Sequence, residues 1–351
     1  MRFFMPAEWA PHRATWLAWP HEITDWPGKF GCIPWAIAEF VRHLSAGEPV
    51  RLLVEDRVLE GKARAMLRRA GVDLERVTFH RVRTDRSWLR DSAPTFVIAE
   101  GGERRAVCWR FNAWAKYNNW KKDVKVSGAI ARLAAVQAVT PEANGQRVVL
   151  EGGAIDVDGE GTLICTEECL LSTVQARNLG LGGEGLEAVF REHLGIEKVL
   201  WLGEGIAGDD THGHVDDLCR FVSPGRVLLC SERNPADTNY RALSENHERL
   251  KGMRDAKGRG VEVISLPMPA PLYFDGQRLP ASYANFYIAN GLILVPTFND
   301  PKDREALGIL SECFPNRRVV GIHAVDLVWG FGTLHCLSQQ EPDSRSLVLG
   351  Q

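Results

Sequence analysis

Stretches with the 3.6-residue rhythm of helices alternate with short β-branched runs along almost the whole 351-residue chain. That alternation restricts the chain to folds in which mixed sheets are flanked by helices. Residues 34–47, PWAIAEFVRHLSAG, set Ile37, Phe40 and Val41 on one face before Gly47 ends the pattern, and Val50 to Val54 then reads as a strand. The same rhythm predicts helices over 57–70, 127–138, 184–194, 239–256 and 302–314. Strands are predicted around 77–82, 94–99, 147–158, 161–166, 197–203, 219–223, 226–231, 261–265, 285–296 and 318–323. These elements group into about five mixed units, although no repeated sequence motif marks them. The turns DGEG (158–161), SPGR (223–226) and ANG (289–291) join neighbouring strands as hairpins, so the sheets are not purely parallel. No G-x-G-x-x-G follows a first strand and no G-x-x-x-x-G-K-S/T occurs, which argues against dinucleotide and P-loop folds. With no low-complexity linker to divide it, the chain is expected to form one compact α/β unit over 1–351.

Lys and Arg number 42 against 45 Asp and Glu, a net charge of −3 with no basic run, so neither nucleic acid nor an anionic membrane is an expected partner. The opening MRFFMPAEWAPH lacks the apolar core of a secretory signal, and no apolar stretch is long enough to span a bilayer, so a cytoplasmic protein is expected. Eight cysteines are scattered without a C-x-x-C pair, against a zinc ribbon or a disulfide framework. Most sit in apolar runs, as Cys108 and Cys230 do, where a small buried thiol is the ordinary reading.

Four segments hold polar residues that local structure does not explain. In TDRSWLRDSAPTFV (84–97), Arg90 is expected to close a turn as an ion pair, whereas Asp91, beside Trp88 at a strand entrance, is placed to face a pocket floor. In VVLEGGAIDVDGEG (148–161) a strand delivers Glu151 and is broken by Gly152 and Gly153. GDDTHGHVDDLCRF (208–221) is the densest titratable cluster. If extended, it would turn His212, His214 and Asp216 to one side. T-H-G-H-V-D-D also resembles the T-H-x-H-x-D-H signature of metallo-β-lactamase-like zinc hydrolases, but Asp217 stands where the last His would be. Only His247, His323 and His335 remain downstream as further ligands. In VWGFGTLHCLSQQEP (328–342), Gly330 and Gly332 precede Cys336, a setting that can expose a thiol in a cleft.

Together the four segments offer a Cys nucleophile, a His acid/base and the carboxylates of Asp91, Glu151 and Asp216. That inventory suits a guanidinium, a planar cation with five N–H donors that paired carboxylates can grip from two sides.

The motifs WLRDSAP, LEGGAIDVDGEGTL, DDTHGHVDD and GTLHCLSQQ, with MPAEWAPHRATWLAWP at the start and FNAW at 111–114, resemble the agmatine deiminase family. Its bacterial members are often grouped with the Porphyromonas-type peptidylarginine deiminases. The likeness runs in order from Met5 to Gln340. It implies the pentein fold, a closed α/β propeller of five ββαβ-like units around a central site. By the same resemblance Cys336 is the nucleophile, His214 the general acid/base, and Asp91 and Asp216 hold the guanidinium. Glu151 orients the His or contacts the substrate, and neither metal nor organic cofactor is implied. His212 and Asp210 receive no role. The chain has T-H-G-H-V-D and G-F-G-T-L-H-C where many members read T-D-G-H-V-D and G-G-G-N-I-H-C, and AKYNNWKKD where a pair of glycines is common.

The implied reaction converts agmatine and water to N-carbamoylputrescine and ammonia, a step of putrescine and polyamine biosynthesis; peptidylarginine is the alternative substrate. An amidinotransferase, a zinc hydrolase and a non-enzymatic guanidinium binder stay open as rivals. Trp26 and Trp114 are expected to contact the substrate tail, with Tyr117 and Trp120 beside them at the rim. The oligomeric state is open, a homo-oligomer included.

Overall fold

The computed structural model describes residues 2–344; Met1 and residues 345–351 of the unit expected over 1–351 lie outside them. Five mixed sheets of three or four strands form among the described residues, and all follow one scheme. An antiparallel pair is followed by a helix that returns the chain to a third, parallel strand. In the first sheet the pair is Thr95–Ala99 with Arg104–Val107, the helix Val126–Leu133 and the third strand Gln137–Val139. The second has Asp156–Val157 with Thr162–Thr166, helix Gly183–Leu194 and Lys198–Leu202. In the third, Cys219–Ser223 pairs with Arg226–Ser231, and helix Asn239–Leu250 leads to Glu262–Pro267. The fourth joins Tyr287–Ala289 to Leu292–Thr297 and returns through Lys302–Cys313 to Arg318–His323. The second, third and fourth are the expected units, and the three predicted hairpins fall at DGEG, SPGR and ANG; in the first, Arg104–Val107 is not predicted and Gln137–Val139 replaces the end of the helix expected over 127–138.

The fifth sheet draws its antiparallel pair from opposite ends of the chain. His12–Ala18 lies against Ser338–Pro342, with Trp16 opposite Gln339, and is followed by helix Ile33–Gly47, strand Val50–Val54, helix Arg57–Arg69 and strand Val77–Arg81. Periodicity predicts neither end strand. His12–Ala18 is buried at nearly every position, and Ser338–Pro342 is polar yet buried throughout, so neither shows the alternation of a half-exposed strand. The middle strand of the second sheet, TLICT, is likewise buried at every position.

Helix Ile33–Gly47 turns Ile33, Ile37, Phe40, Val41 and Leu44 inward at helical spacing. Gly47 ends it where a Cβ would lie 2.5 Å from the Asn290 carbonyl oxygen. Two helices stop earlier than predicted. Val126–Leu133 ends because Ala135 adopts φ 53° before the chain enters Gln137–Val139, and Asn239–Leu250 ends ahead of Gly252 at φ +80°. The expected strand over 147–158 is broken: Gln146–Arg147 and Asp156–Val157 pair at its ends, and between them Val149 makes an isolated bridge to Arg110.

A short helical turn precedes the first strand of each sheet: Leu89–Ser92, Gly152–Ala154, Val215–Asp217, Tyr283–Asn285 and Leu334–Leu337. Each turn packs on the next and the fifth packs back on the first, so the five form a closed ring. Among the described residues, no helix is long and apolar enough to cross a membrane.

Candidate active site

The ring of turns carries the expected chemistry. Asp91 lies in the first turn, Glu151 caps the second, His214 caps the third and Asp216 lies within it, and Cys336 lies in the fifth. Above them is a cavity of about 220 Å³ whose walls include Trp88, Trp114, Tyr117, Trp329 and Phe331, with Asp91 and Cys336 at its base. His214, Glu151 and Asp216 lie beneath this lining and are buried.

The turn bearing Cys336 depends on its glycines. A Cβ at Gly332 would lie 2.9 Å from the Trp88 ring and 3.2 Å from Cys336 Sγ, and one at Gly330 would lie 2.5 Å from Trp26 Nε1. The thiol thus reaches the cavity while 8% exposed. Asn285 Nδ2 donates to Sγ at 3.0 Å, and Asp216 Oδ2 lies 3.6 Å from it. Burial pushes the thiol well above its usual range, Asp216, Asp217 and Asp91 push the same way, and the Asn285 hydrogen bond opposes them.

Asp91 is fixed at both oxygens. Oδ2 accepts from Trp114 Nε1 at 2.8 Å and Oδ1 from the Gly153 amide at 2.9 Å. Burial raises its carboxyl to about 6; His214 works against the shift, and Asp216 and Glu151 add to it. Asp216 accepts from His335 Nδ1 at 2.7 Å on Oδ2, whereas its buried Oδ1 finds no hydrogen-bond partner among the described residues. Burial would raise Asp216, but His335 and then His214 outweigh it and hold the carboxyl below the usual range. His335 in turn meets Glu8 Oε2 at 2.7 Å through Nε2, and Glu8 is bound by Arg220 at 3.0 Å.

His214 stands among three carboxylates. Nδ1 is 3.9 Å from Asp91 and 4.0 Å from Asp216, and Nε2 is 3.8 Å from Glu151. Burial opposes its charged form, yet Asp91 first, then the Cys169 side chain and Glu151, raise it well above the ordinary histidine range. Glu151 is gripped by Arg177 Nε at 3.2 and 3.3 Å. Burial would raise Glu151; Arg177 and then His214 outweigh it and lower the carboxyl to about 2. Arg177 also donates to the carbonyls of Gln175 at 2.8 Å and Thr211 at 2.5 Å. Glu151 therefore faces His214 and not the cavity.

Several expectations are corrected. The segment 209–217 is not extended: His212 and Gly213 adopt φ 69° and 87°, and Asp209 accepts from the amides of Thr211, Gly213 and His214. His212 consequently points to Ser172 and Glu168, away from His214 and Asp216, and the zinc triad suggested by T-H-G-H-V-D-D does not assemble. Two other buried groups, Glu151–Cys169–His214 and Asp216–Asp217–Cys336, bring potential ligand atoms within 4.8 Å of one another. Glu151 is already committed to Arg177 and Asp216 to His335. Trp26 is not a rim residue: it is fully buried, donates to the Leu327 carbonyl at 2.9 Å and backs Trp88 at a ring separation of 5.2 Å. Trp120 is half-buried against the core and absent from the cavity wall. Trp114 and Tyr117 do line it. Arg90 forms an ion pair as expected, with Glu8 at 3.5 Å, but closes no local turn; it is buried and donates to Gln340 at 2.7 Å and to the His335 carbonyl at 3.3 Å.

Sequence reasoning passes over Glu8, Arg177 and Asn285 as site residues. Glu8 sits within the N-terminal motif, but its pairing with His335 spans 327 positions. Asn285 occupies the fourth turn of the ring, and only the equivalence of the five turns, visible in three dimensions, singles it out.

The family model for Porphyromonas-type peptidyl-arginine deiminase matches residues 4–342. The agmatine deiminase of Ectopseudomonas mendocina is 40% identical over 370 residues, covering 97% of this chain and 95% of the relative. Among solved structures, agmatine deiminase of Enterococcus faecalis superposes with a TM-score of 0.89 at 33% identity, covering 97% of this chain and 96% of that one. A cysteine-to-serine variant of C. jejuni agmatine deiminase with substrate bound gives 0.85 at 28%, with the same coverage. The chain belongs to the Porphyromonas-type peptidyl-arginine deiminase family, pentein-fold hydrolases of C–N bonds in linear amidines.

Proposed function

We propose that the chain hydrolyses agmatine to N-carbamoylputrescine and ammonia through a covalent adduct on Cys336. The observation that carries this reading is the pair of carboxylates at the Cys336 end of the cavity: Asp91 lines it with Cys336, and just beneath the lining Asp216 sets Oδ2 3.6 Å from Sγ while its buried Oδ1 has no partner among the described residues. A guanidinium offers N–H donors to both carboxylates and presents its carbon to sulfur. Its positive charge offsets the anions that hold the thiol protonated, so binding itself favours the thiolate.

The thiol proton is lost to solvent as the cation binds, and the thiolate sulfur then adds to the guanidinium carbon. His214, kept protonated by its carboxylate neighbours, passes a proton to one nitrogen, and ammonia leaves an S-alkylthiouronium on Cys336. Neutral His214 next takes a proton from water, whose oxygen adds to the same carbon. The C–S bond breaks, Cys336 departs as thiolate, the adduct's hydroxyl proton is lost to solvent, where it leaves the released ammonia as ammonium, and the ureido product forms. Glu151, fixed by Arg177, orients His214 through the whole cycle.

The mouth of the cavity favours a cationic tail. Arg86 lines it but is tied to Asp25 at 2.5 Å and Asn119 at 3.0 Å, and its guanidinium lies 4.2 Å from the Tyr117 ring centre. Asp210 accepts from Tyr117 and Lys116. Arg86 is the cation in this wall among the described residues; its two terminal nitrogens are engaged and its unpartnered Nε is buried, which leaves little to receive an α-carboxylate, whereas Trp114 and Tyr117 suit an apolar stem that ends in an ammonium. Ammonia release from agmatine, free arginine and a peptide with internal arginine, compared as kcat/KM at one pH, tests the assignment. Agmatine is expected to lead by at least tenfold; a preference for free arginine overturns the substrate and leaves the deiminase chemistry standing.

A further inference from the structure

We infer that Asn285 is a catalytic residue for the reaction proposed above: its side-chain amide donates a hydrogen bond to the Cys336 sulfur and stabilises the thiolate when it attacks and when it leaves. Asn285 is 1% exposed and ends the fourth turn of the ring, which, like the second, supplies neither the nucleophile, the acid/base nor a guanidinium-holding carboxylate.

The orientation of the amide follows from its partners. Oδ1 receives the His335 amide at 3.1 Å and the Cys336 amide at 3.4 Å, both of which can only donate, and it also accepts from Thr333 Oγ1 at 2.7 Å. Nδ2 is thereby turned onto Sγ at 3.0 Å. One side chain shapes the nucleophile's turn with its oxygen and meets the nucleophile with its nitrogen.

The other polar groups facing the sulfur are acids. Asp216 and Asp217 come from the third turn and Asp91 from the first, and all three oppose ionisation of the thiol. His214 lies beyond Asp91 and Asp216 and points its ring at those carboxylates. His335, though adjacent in sequence, directs both ring nitrogens to Asp216 and Glu8. Asn285 is the neutral donor in this set. A donor fixed on an atom whose negative charge appears and reappears during a reaction acts on both halves of it, and loss of one such donor typically costs about 10²–10³ in turnover.

This inference rests on Cys336 as nucleophile, and its test separates the two. Asn285→Asp keeps an acceptor for the amides of His335 and Cys336 but places oxygen where the donor was. Asn285→Ala removes donor and acceptor without adding charge. The rate at which iodoacetamide alkylates Cys336 is followed against pH by mass spectrometry of the Cys336 peptide, with thermal unfolding and kcat measured on the same samples. In both variants the alkylation profile is expected to move to higher pH by about one unit or more, with kcat down at least tenfold and KM for agmatine less affected. A profile coincident with the parent in either folded variant overturns the inference. Turnover retained in Cys336→Ala would instead sink the nucleophile reading, whatever the alkylation profile does.

Discussion

Asp91 and Asp216 both approach Nδ1 of the same histidine, His214, yet their environments set them in opposite directions. Asp91 has only neutral donors, Trp114 and the Gly153 amide, and burial raises it to about 6. Asp216 has His335 against one oxygen and stays ionised despite equal burial. The free protein is therefore expected to lose one of its two guanidinium-holding charges as pH falls through about 6, while bound cation holds Asp91 ionised to lower pH. Measured against pH, kcat/KM for agmatine should decline below about 6, and kcat should hold to a more acidic pH, because the two report free and bound enzyme respectively. Superimposable profiles would remove Asp91 from the binding step. Asp91→Asn and Asp216→Asn should each lower kcat/KM by at least about 10²-fold, since an amide turns N–H groups toward a donor-only cation; near-normal values in either would place that residue outside the site. Asp91, His214, Asp216 and Cys336 are legible in the sequence because each stands in a polar cluster that no local pattern explains. Arg177, Glu8 and Asn285 are not, because an isolated Arg, Glu or Asn looks like a surface residue until the fold buries it against a partner.

The five short turns join sequence to site at the scale of elements. The second turn shows why it needs two glycines: a Cβ at Gly152 would lie 2.3 Å from the Arg90 carbonyl oxygen, and one at Gly153 would lie 2.5 Å from His214 Nδ1 and 3.0 Å from Asp91 Oδ1. The E-G-G step, which sequence alone could not tell from a β-bulge, is thus the point where backbone passes directly under the acid/base and its carboxylates. Gly153→Ala should push His214 and Asp91 apart. Turnover should fall by at least about 10²-fold at a stability cost of about 1–3 kcal/mol, the usual range for overpacking. Steady-state kinetics with urea unfolding on the same protein checks this, and an active Gly153→Ala enzyme would mean the site tolerates a wider floor. The turns were hard to foresee because each is only three or four residues long, below the length at which helical periodicity can be read.

At the scale of the whole molecule, the ring depends on a sheet whose hairpin partners lie at opposite ends of the chain. The second, third and fourth sheets were legible because their strands lie close in sequence and are joined by recognisable turns or helices, whereas of the first only Thr95–Ala99 and the start of its helix were. The fifth was not, since pairing His12–Ala18 with Ser338–Pro342 leaves no local signature and closes a loop of nearly the full chain length. Glu341 in the closing strand is fully buried and accepts from Trp16 Nε1 at 3.0 Å. It also meets Arg104 at 2.5 Å and Arg51 at 3.2 Å, so it fastens the closing sheet to the first sheet through Arg104. Arg13, at 3.6 Å and nearly half exposed, adds little. Replacing Glu341 by Gln leaves two largely buried guanidinium groups facing a neutral amide. Removing one partner of a fully buried pair costs about 3–5 kcal/mol; with the arginines still touching solvent, about 2 kcal/mol is expected for Glu341→Gln. The urea midpoint should fall with an unchanged m-value. Because Glu341 does not line the cavity or touch Cys336, kcat at low temperature should stay near that of the parent. A stability within about 0.5 kcal/mol of the parent, the size of an ordinary surface change, would show that ring closure rests on strand pairing and packing and not on this buried charge.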